Sequence, residues 1–263
     1  LFFREWGKGQ PMARIPVGLQ VYTVRDKLAE DYVGTLKQVK EIGYDVIELP
    51  PSRPHQPDEL KKLLADIGLS VAGVVVAPDA LEQDLGRWIE YVKVLDTDNL
   101  VYVAVPPGRR DTREDWLATA AILDELGARC REQAVTLSYH NHSFEFVQFD
   151  GAYALDLLFA NTSPDNVFAE IDTYWVKHGR ADPVEYIRKY AGRIRILHIK
   201  DMADDEDRSF AEIGSGILDW PAIHAASVEA GVQYYAVEQD RCARDSMASA
   251  RMSREFMARL LGE

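Results

Sequence analysis

The chain has 263 residues, 47% of them hydrophobic, which is enough for one large α/β domain or two small ones. Its formal net charge is -13, and no run of Lys and Arg exceeds two residues, which argues against a nucleic-acid partner. No stretch approaches the ~20 apolar residues of a membrane span, and Cys130 and Cys242 form no CxxC pair, so the expectation is a cytoplasmic protein with reduced thiols. Residues 1–11, LFFREWGKGQP, fit the later pattern poorly and are expected to be a tag or upstream extension before a domain over 12–263.

Strand-like and helix-like segments alternate from there on. A short strand over 16–22 precedes a helix over 31–42 that stops at Gly43. A second strand over 44–49 leads to a helix over 57–67, with Pro at its start and Gly68 at its end. Residues 69–76 form a continuous apolar run, as expected in a parallel sheet covered on both faces. A helix over 81–95, a strand over 100–105, a long helix over 113–133 and a strand over 135–139 continue the series. Then come a helix over 153–160, a strand over 167–172, a helix over 182–190 and a strand over 194–199. Asp219, Trp220 and Pro221 open a helix that reaches Ala230, residues 234–238 give the last strand, and 247–261 the terminal helix.

Eight strands, each followed by a helical segment, in a chain near the ~250 residues typical of the fold, predict a single-domain (β/α)8 TIM barrel. The rival, a doubly wound open sheet, would more often carry a Gly-rich turn after its first strand, and Tyr22-Thr23-Val24-Arg25-Asp26 is not one.

A barrel of this kind carries its chemistry at the C-terminal ends of the strands. Strand two ends at Glu48; strand five runs into His140, His142 and Glu145; strand six ends in Asp172; strand seven in His198 and Lys200; strand eight in Glu238 and Asp240. One carboxylate at a strand end is ordinarily a helix cap or surface group. Four successive strands ending this way converge charge on one rim, and several carboxylates there repel unless cations or protons offset them.

The segments GLQVYTVRD, GYDVIEL, YHNHSFEF, EIDTYWVKHGRADP, ILHIKDM, EIGSGILDW and VEQD together resemble the sugar phosphate isomerase/epimerase family, the xylose isomerase-like TIM barrels. The resemblance implies one divalent metal held by Glu145, Asp172, His198 and Glu238, with His140 as the alternative ligand on strand five. Three carboxylates and an imidazole favour Mn²⁺, with Mg²⁺, Co²⁺ or Zn²⁺ compatible. It implies acid–base roles for Glu145 and Glu238, and makes His142 and Lys200 further catalytic candidates. Glu48, His140, Trp175 and Asp240 are candidate substrate contacts, with Tyr174 and Trp220 as further aromatic candidates for stacking on a sugar face. Many relatives carry a His near the end of strand three, where this chain has Gly73-Val74-Val75-Val76. The YHNHSFEF element resembles the branch with inosose dehydratase-like and keto-glycoside-processing proteins.

The resulting expectation is a metal-dependent isomerase or epimerase acting on a keto-sugar or related carbohydrate through an enediolate. A carbohydrate lyase or dehydratase is the close alternative, and a non-catalytic sugar-binding barrel is the alternative of another class. The partner expected is a small-molecule carbohydrate, with no membrane, and a homodimer is compatible with such a barrel.

Overall fold

A computed structural model describes residues 15–50 and 55–263; the proposed extension over 1–11 and the start of the domain at Met12 lie outside them. The barrel strands are β1 (Val17–Gln20), β2 (Val46–Leu49), β3 (Ser70–Val76), β4 (Asn99–Tyr102), β5 (Thr136–His140), β6 (Val167–Asp172), β7 (Ile194–Ile199) and β8 (Tyr234–Val237). All eight are parallel, each pairs with its sequence neighbour, and β8 closes onto β1 through Val17–Tyr235, Gly18–Ala236 and Leu19–Val237. The predicted (β/α)8 barrel is therefore observed.

Strand alternation sorts the side chains. On β7, Leu197 and Ile199 join the main core under the helices, while Ile196, His198 and Lys200 share the other face. Val46, Ala72, Ile196 and Ala236, from β2, β3, β7 and β8, make a small apolar cluster of their own inside the barrel. Above it the interior turns polar: Gln20, Glu48, Asn99, Ser138, His140, Glu170, Asp172 and His198 are all buried. Gly73 faces the same space. A Cβ there would lie 2.8 Å from Asn99 Nδ2 and 3.3 Å from Glu48 Oε1, so the glycine leaves room for the buried carboxyl.

Several elements differ from expectation. The predicted helix over 81–95 is two helices, Pro78–Gln83 and Leu85–Val94, because the Asp84 side chain accepts from Arg87 N and starts a new helix. β4 ends at Tyr102 rather than 105. Two short helices, Arg25–Glu30 and Thr173–His178, follow β1 and β6 closely. Within the stretch 201–216, expected to be irregular, Asp201–Met202 and Phe210–Ala211 form an antiparallel ribbon.

One side chain organises that last region. Asp201 is fully buried and accepts from Met202 N (2.8 Å), Leu218 N (3.2 Å), Gly214 N (2.9 Å), Gly216 N (3.1 Å) and Trp220 Nε1 (2.7 Å). Trp220 is thereby spent on structure and is not available to stack on a substrate. Replacing Asp201 by Ala strips these donors of their acceptor, so Asp201→Ala is expected to cost on the order of 3–5 kcal/mol, read as a lowered urea midpoint with loss of the Trp220 near-ultraviolet signal.

Candidate active site

β5 to β8 deliver four ligand-capable side chains to one spot. His140, Asp172, His198 and Glu238 each offer an atom such that all four atoms lie within 4.8 Å of one another, and all four residues are buried. Local structure aims them. Asp172 is both the last residue of β6 and the N-cap of the helix Thr173–His178; its Oδ1 accepts from Trp175 N at 2.9 Å. Its Oδ2 lies 2.9 Å from Lys200 Nζ and 3.8 Å from His140 Nε2. Two imidazoles and two carboxylates at this spacing suit a divalent ion such as Zn²⁺, Co²⁺ or Mn²⁺.

Glu145 departs from the expected ligand set. A 3₁₀ turn over Phe144–Phe146 carries its carboxyl away from the cluster. There Oε1 accepts from Tyr139 Oη at 2.7 Å and Oε2 from His142 N at 2.9 Å. His140 rather than Glu145 stands in the cluster on the strand-five side, because β5 continues to that residue and presents its ring inward. Burial pushes the Glu145 carboxyl up to about 7, against the opposing hydrogen bonds from Tyr139 and His142.

Lys200 is the cation of the mouth. Its Nζ lies 2.6 Å from Glu238 Oε2, 2.9 Å from Asp172 Oδ2 and 3.0 Å from Asp240 Oδ1. Burial alone would lower its pKa, but these carboxylates outweigh burial and raise it well above the ordinary lysine value. Glu238 responds in kind: burial would raise it, and Lys200 holds it down at about 2. Asp172 is raised to about 6 by burial, with Lys200 and His198 opposing.

Beneath this group lies a second one that sequence reasoning missed. His198 Nε2 is 2.6 Å from Glu48 Oε2 and 3.0 Å from Glu170 Oε1, while its Nδ1 is 2.9 Å from Glu238 Oε2. Glu170 also meets His140 Nδ1 at 3.0 Å, and Gln20 Nε2 donates to Glu48 at 2.7 Å. Burial, then the neighbouring Glu48, raises Glu170 well above the ordinary carboxyl value. Glu48, expected at the substrate, instead sits below the mouth as a partner of His198. Glu170 was legible in principle: it lies two residues before Asp172 on the same strand, and so on the same face.

Above the cluster opens a cavity of about 510 Å³, lined by Gln20, Tyr22, Arg25, Val75, Val103, His140, His142, His198, Lys200, Glu238, Asp240 and Arg241. His140, His142, His198, Lys200, Glu238 and Asp240 were expected at the site; Gln20, Tyr22, Arg25 and Arg241 were not. Val75 lines it where relatives are expected to carry a histidine on β3. His142 lies between Phe144 and Trp175, with ring centroids 5.5 Å from each. Its Nδ1 is buried with no hydrogen-bond partner. Burial, then Lys200, lowers its pKa to about 3, so the imidazole is unprotonated at neutral pH. Trp175 backs His142. The Tyr174 hydroxyl donates to the Arg208 carbonyl at 2.7 Å, and its ring stacks on Phe210 at 4.1 Å, placing it in the wall under the ribbon.

A closed parallel barrel with a buried His/Asp/Glu centre at the C-terminal rim defines a class of metal-site TIM barrels. Residues 36–260 match the model of the xylose isomerase-like TIM barrel family, and the chain belongs to that family. It is 26% identical to an inosose dehydratase of Geobacillus kaustophilus over 90% of this chain and 89% of that protein. It is 27% identical to an L-ribulose 3-epimerase of Mesorhizobium japonicum over 84% of this chain and 78% of that one. In three dimensions it resembles a sugar phosphate isomerase/epimerase of Parabacteroides distasonis, with a TM-score of 0.80 and 23% identity over 93% of this chain and 98% of the other.

Two outcomes follow for β5. In metal analysis by mass spectrometry, His140→Ala is expected to lose stoichiometric divalent metal, with affinity down at least ~100-fold, while Glu145→Gln retains it. Glu145 also sets a pH dependence of stability. Below about 4.5 the carboxyl is protonated folded and unfolded; between 4.5 and about 7 only the folded state keeps the proton, so stability falls as pH rises through that window. The full cost is roughly 3 kcal/mol above pH 7. In chelator, urea unfolding of Glu145→Gln should lack that decline relative to the parent protein.

Proposed function

We propose that the chain is a divalent-metal-dependent enzyme that moves a proton at the carbon beside a carbohydrate carbonyl, isomerising or epimerising the sugar through an enediolate. The observation that carries this reading is that an unprotonated His142, an ionised Glu238 and the cationic Lys200 line one cavity with the candidate ligands His140 and His198. A divalent ion held by His140, Asp172, His198 and Glu238 would supply Lewis acidity toward a substrate carbonyl. Mn²⁺ stays the ion of first choice from the sequence, and the exchange of a carboxylate for His140 makes Zn²⁺ and Co²⁺ equal contenders.

The protein's own groups account for the proton movements. His142 accepts the proton from carbon, since its low pKa leaves the imidazole unprotonated at neutral pH and the residue lines the cavity. Lys200 offers N–H groups to oxygen where negative charge develops. His142 then returns that proton to the neighbouring carbon, and Glu238, kept ionised by Lys200, is a second proton acceptor in the mouth. Asp240 and Arg241 at the rim and Gln20 at the floor offer hydrogen bonds to sugar hydroxyls.

Elimination of a β-substituent is the second reading. It is supported by the unprotonated His142 at the cavity wall and by the similarity to inosose dehydratase. Both readings share proton abstraction and part only in what leaves afterwards.

The test is solvent deuterium exchange in D2O with a panel of keto-sugars and 3-keto-glycosides, with Mn²⁺ and with chelator. Metal-dependent exchange beside the carbonyl is expected, and the product identifies epimerisation or elimination. Absence of exchange across the panel, in a protein that binds no stoichiometric metal, would return it to a non-catalytic sugar-binding barrel. His142→Gln is expected to slow exchange by ~10²–10⁴-fold with metal content unchanged. Because His142 titrates far below neutrality, the exchange rate should show no inflection near pH 6.5, the point at which an ordinary histidine would lose its function as a base.

A further inference from the structure

Beside the reaction cavity lies a larger one, of about 850 Å³, between the segments that follow β1, β2 and β3. The two share lining residues. Tyr22 and Arg25 face both, and Val74 and Val75 are consecutive on β3, one lining each cavity. Arg25 is fixed as part of the partition: its guanidinium lies 4.1 Å over the Tyr22 ring and donates to the Asp240 carbonyl at 2.8 Å. The two cavities therefore meet at the outer rim, at Tyr22 and Arg25.

The second cavity has a different chemistry. Among the described residues no carboxylate lines it, in contrast to the mouth; Leu28, Leu60, Tyr32, Trp88 and Tyr91 do, together with Arg25 and with His55, whose ring centroid lies 4.1 Å from that of Tyr32. Trp88 and Tyr91 meet edge to face at 5.6 Å. The Trp88 N–H is satisfied by the Ala80 carbonyl at 3.1 Å, so its ring offers only an apolar surface. The hydroxyls of Tyr32 and Tyr91 have no hydrogen-bond partner among the described residues, although both residues border the cavity. An apolar chamber with aromatic edges and two open phenolic hydroxyls matches a planar ring carrying a polar substituent. It matches a free sugar poorly, because sugar hydroxyls would lose water without enough partners to replace it.

We propose that this chamber is a subsite for an aromatic substituent attached to the carbohydrate whose polar part occupies the barrel mouth. The inference rests on the carbohydrate reading above and narrows its substrate class to sugars bearing an aryl group, joined where the two cavities meet at Tyr22 and Arg25. Tyr32 and Tyr91 recognise a ring hydroxyl, and Leu28 and Leu60 cover the ring.

Equilibrium titration of the Mn²⁺-loaded protein with phenyl β-glucoside, 4-hydroxyphenyl β-glucoside and methyl β-glucoside tests it without requiring turnover. The phenyl compound is expected to bind at least ~10-fold more tightly than the methyl compound, and the 4-hydroxyphenyl compound more tightly again. Leu28→Trp, which fills the chamber from a half-buried position, should bring the phenyl-to-methyl ratio within about twofold. Tyr32→Phe, a change of one hydroxyl, should remove the additional preference for 4-hydroxyphenyl while keeping that for phenyl. Equal binding of phenyl and methyl glucosides overturns the proposal, and so does a phenyl preference that neither variant alters. If the aryl preference fails while metal-dependent exchange on keto-sugars succeeds, only the subsite is lost; failure of exchange with the aryl preference intact removes the catalytic reading and leaves an aryl-glycoside binding site.

Discussion

Carboxyl groups in the interior of this barrel are tolerable only because cations are wedged between them. Glu48, Glu170, Asp172 and Glu238 are all buried, and His198 and Lys200 are the basic groups that bridge them. An unpaired buried charge costs several kcal/mol, so removing either bridge would leave carboxylates with no option but to take up protons. His198 lies on β7 and Lys200 one residue past its end, so the strand's alternation sets both bridges two residues apart and on the same face. Carboxyl groups still outnumber these two bases, and that imbalance is what a divalent ion would correct.

The same arrangement divides labour along the barrel axis. Its floor is apolar, through Val46, Ala72, Ile196 and Ala236. Its middle layer, Gln20, Glu48, Glu170 and His198, is tied together by hydrogen bonds and ion pairs and reaches the cavity through Gln20 and His198. Its upper layer sets the unprotonated His142 beside the ammonium that Asp172, Glu238 and Asp240 share. A linked layer beneath the groups that meet substrate is the distribution that positioned catalysis requires.

The fold was legible because each strand carries its own punctuation. Val167–Asp172, Ile194–Ile199 and Pro57–Ile67 fall where hydrophobic period, Gly and Pro place them. The site was legible to the extent that strands run straight into it: Asp172, His198 and Glu238 need only the alternation rule. Glu145 was misplaced because nothing in HNHSFEF announces the 3₁₀ turn that swings it onto Tyr139. Glu170 was missed because attention went to the last residue of the strand rather than to its face. The short helix Thr173–His178 was missed because no linker separates it from β6; Asp172 ends one element and caps the next. The side chamber could not be read at all, since Leu28, Leu60, Trp88 and Tyr91 come from three separate helical segments that meet only in three dimensions.

Lys200 and Asp201 are neighbours in sequence with opposite tasks: one faces the carboxylates of the mouth, the other gathers the backbone of residues 214–218 and the indole of Trp220. Both ends of the segment between Met202 and Phe210 are moored beside that carboxylate by the pairing of Asp201 with Ala211 and of Met202 with Phe210, while Asp204, Asp205, Glu206 and Asp207 at its tip are exposed. A change of length or sequence at that tip would be absorbed outside the mooring, without moving the ammonium one residue away. The barrel can therefore vary what overhangs the mouth while its centre of charge stays fixed.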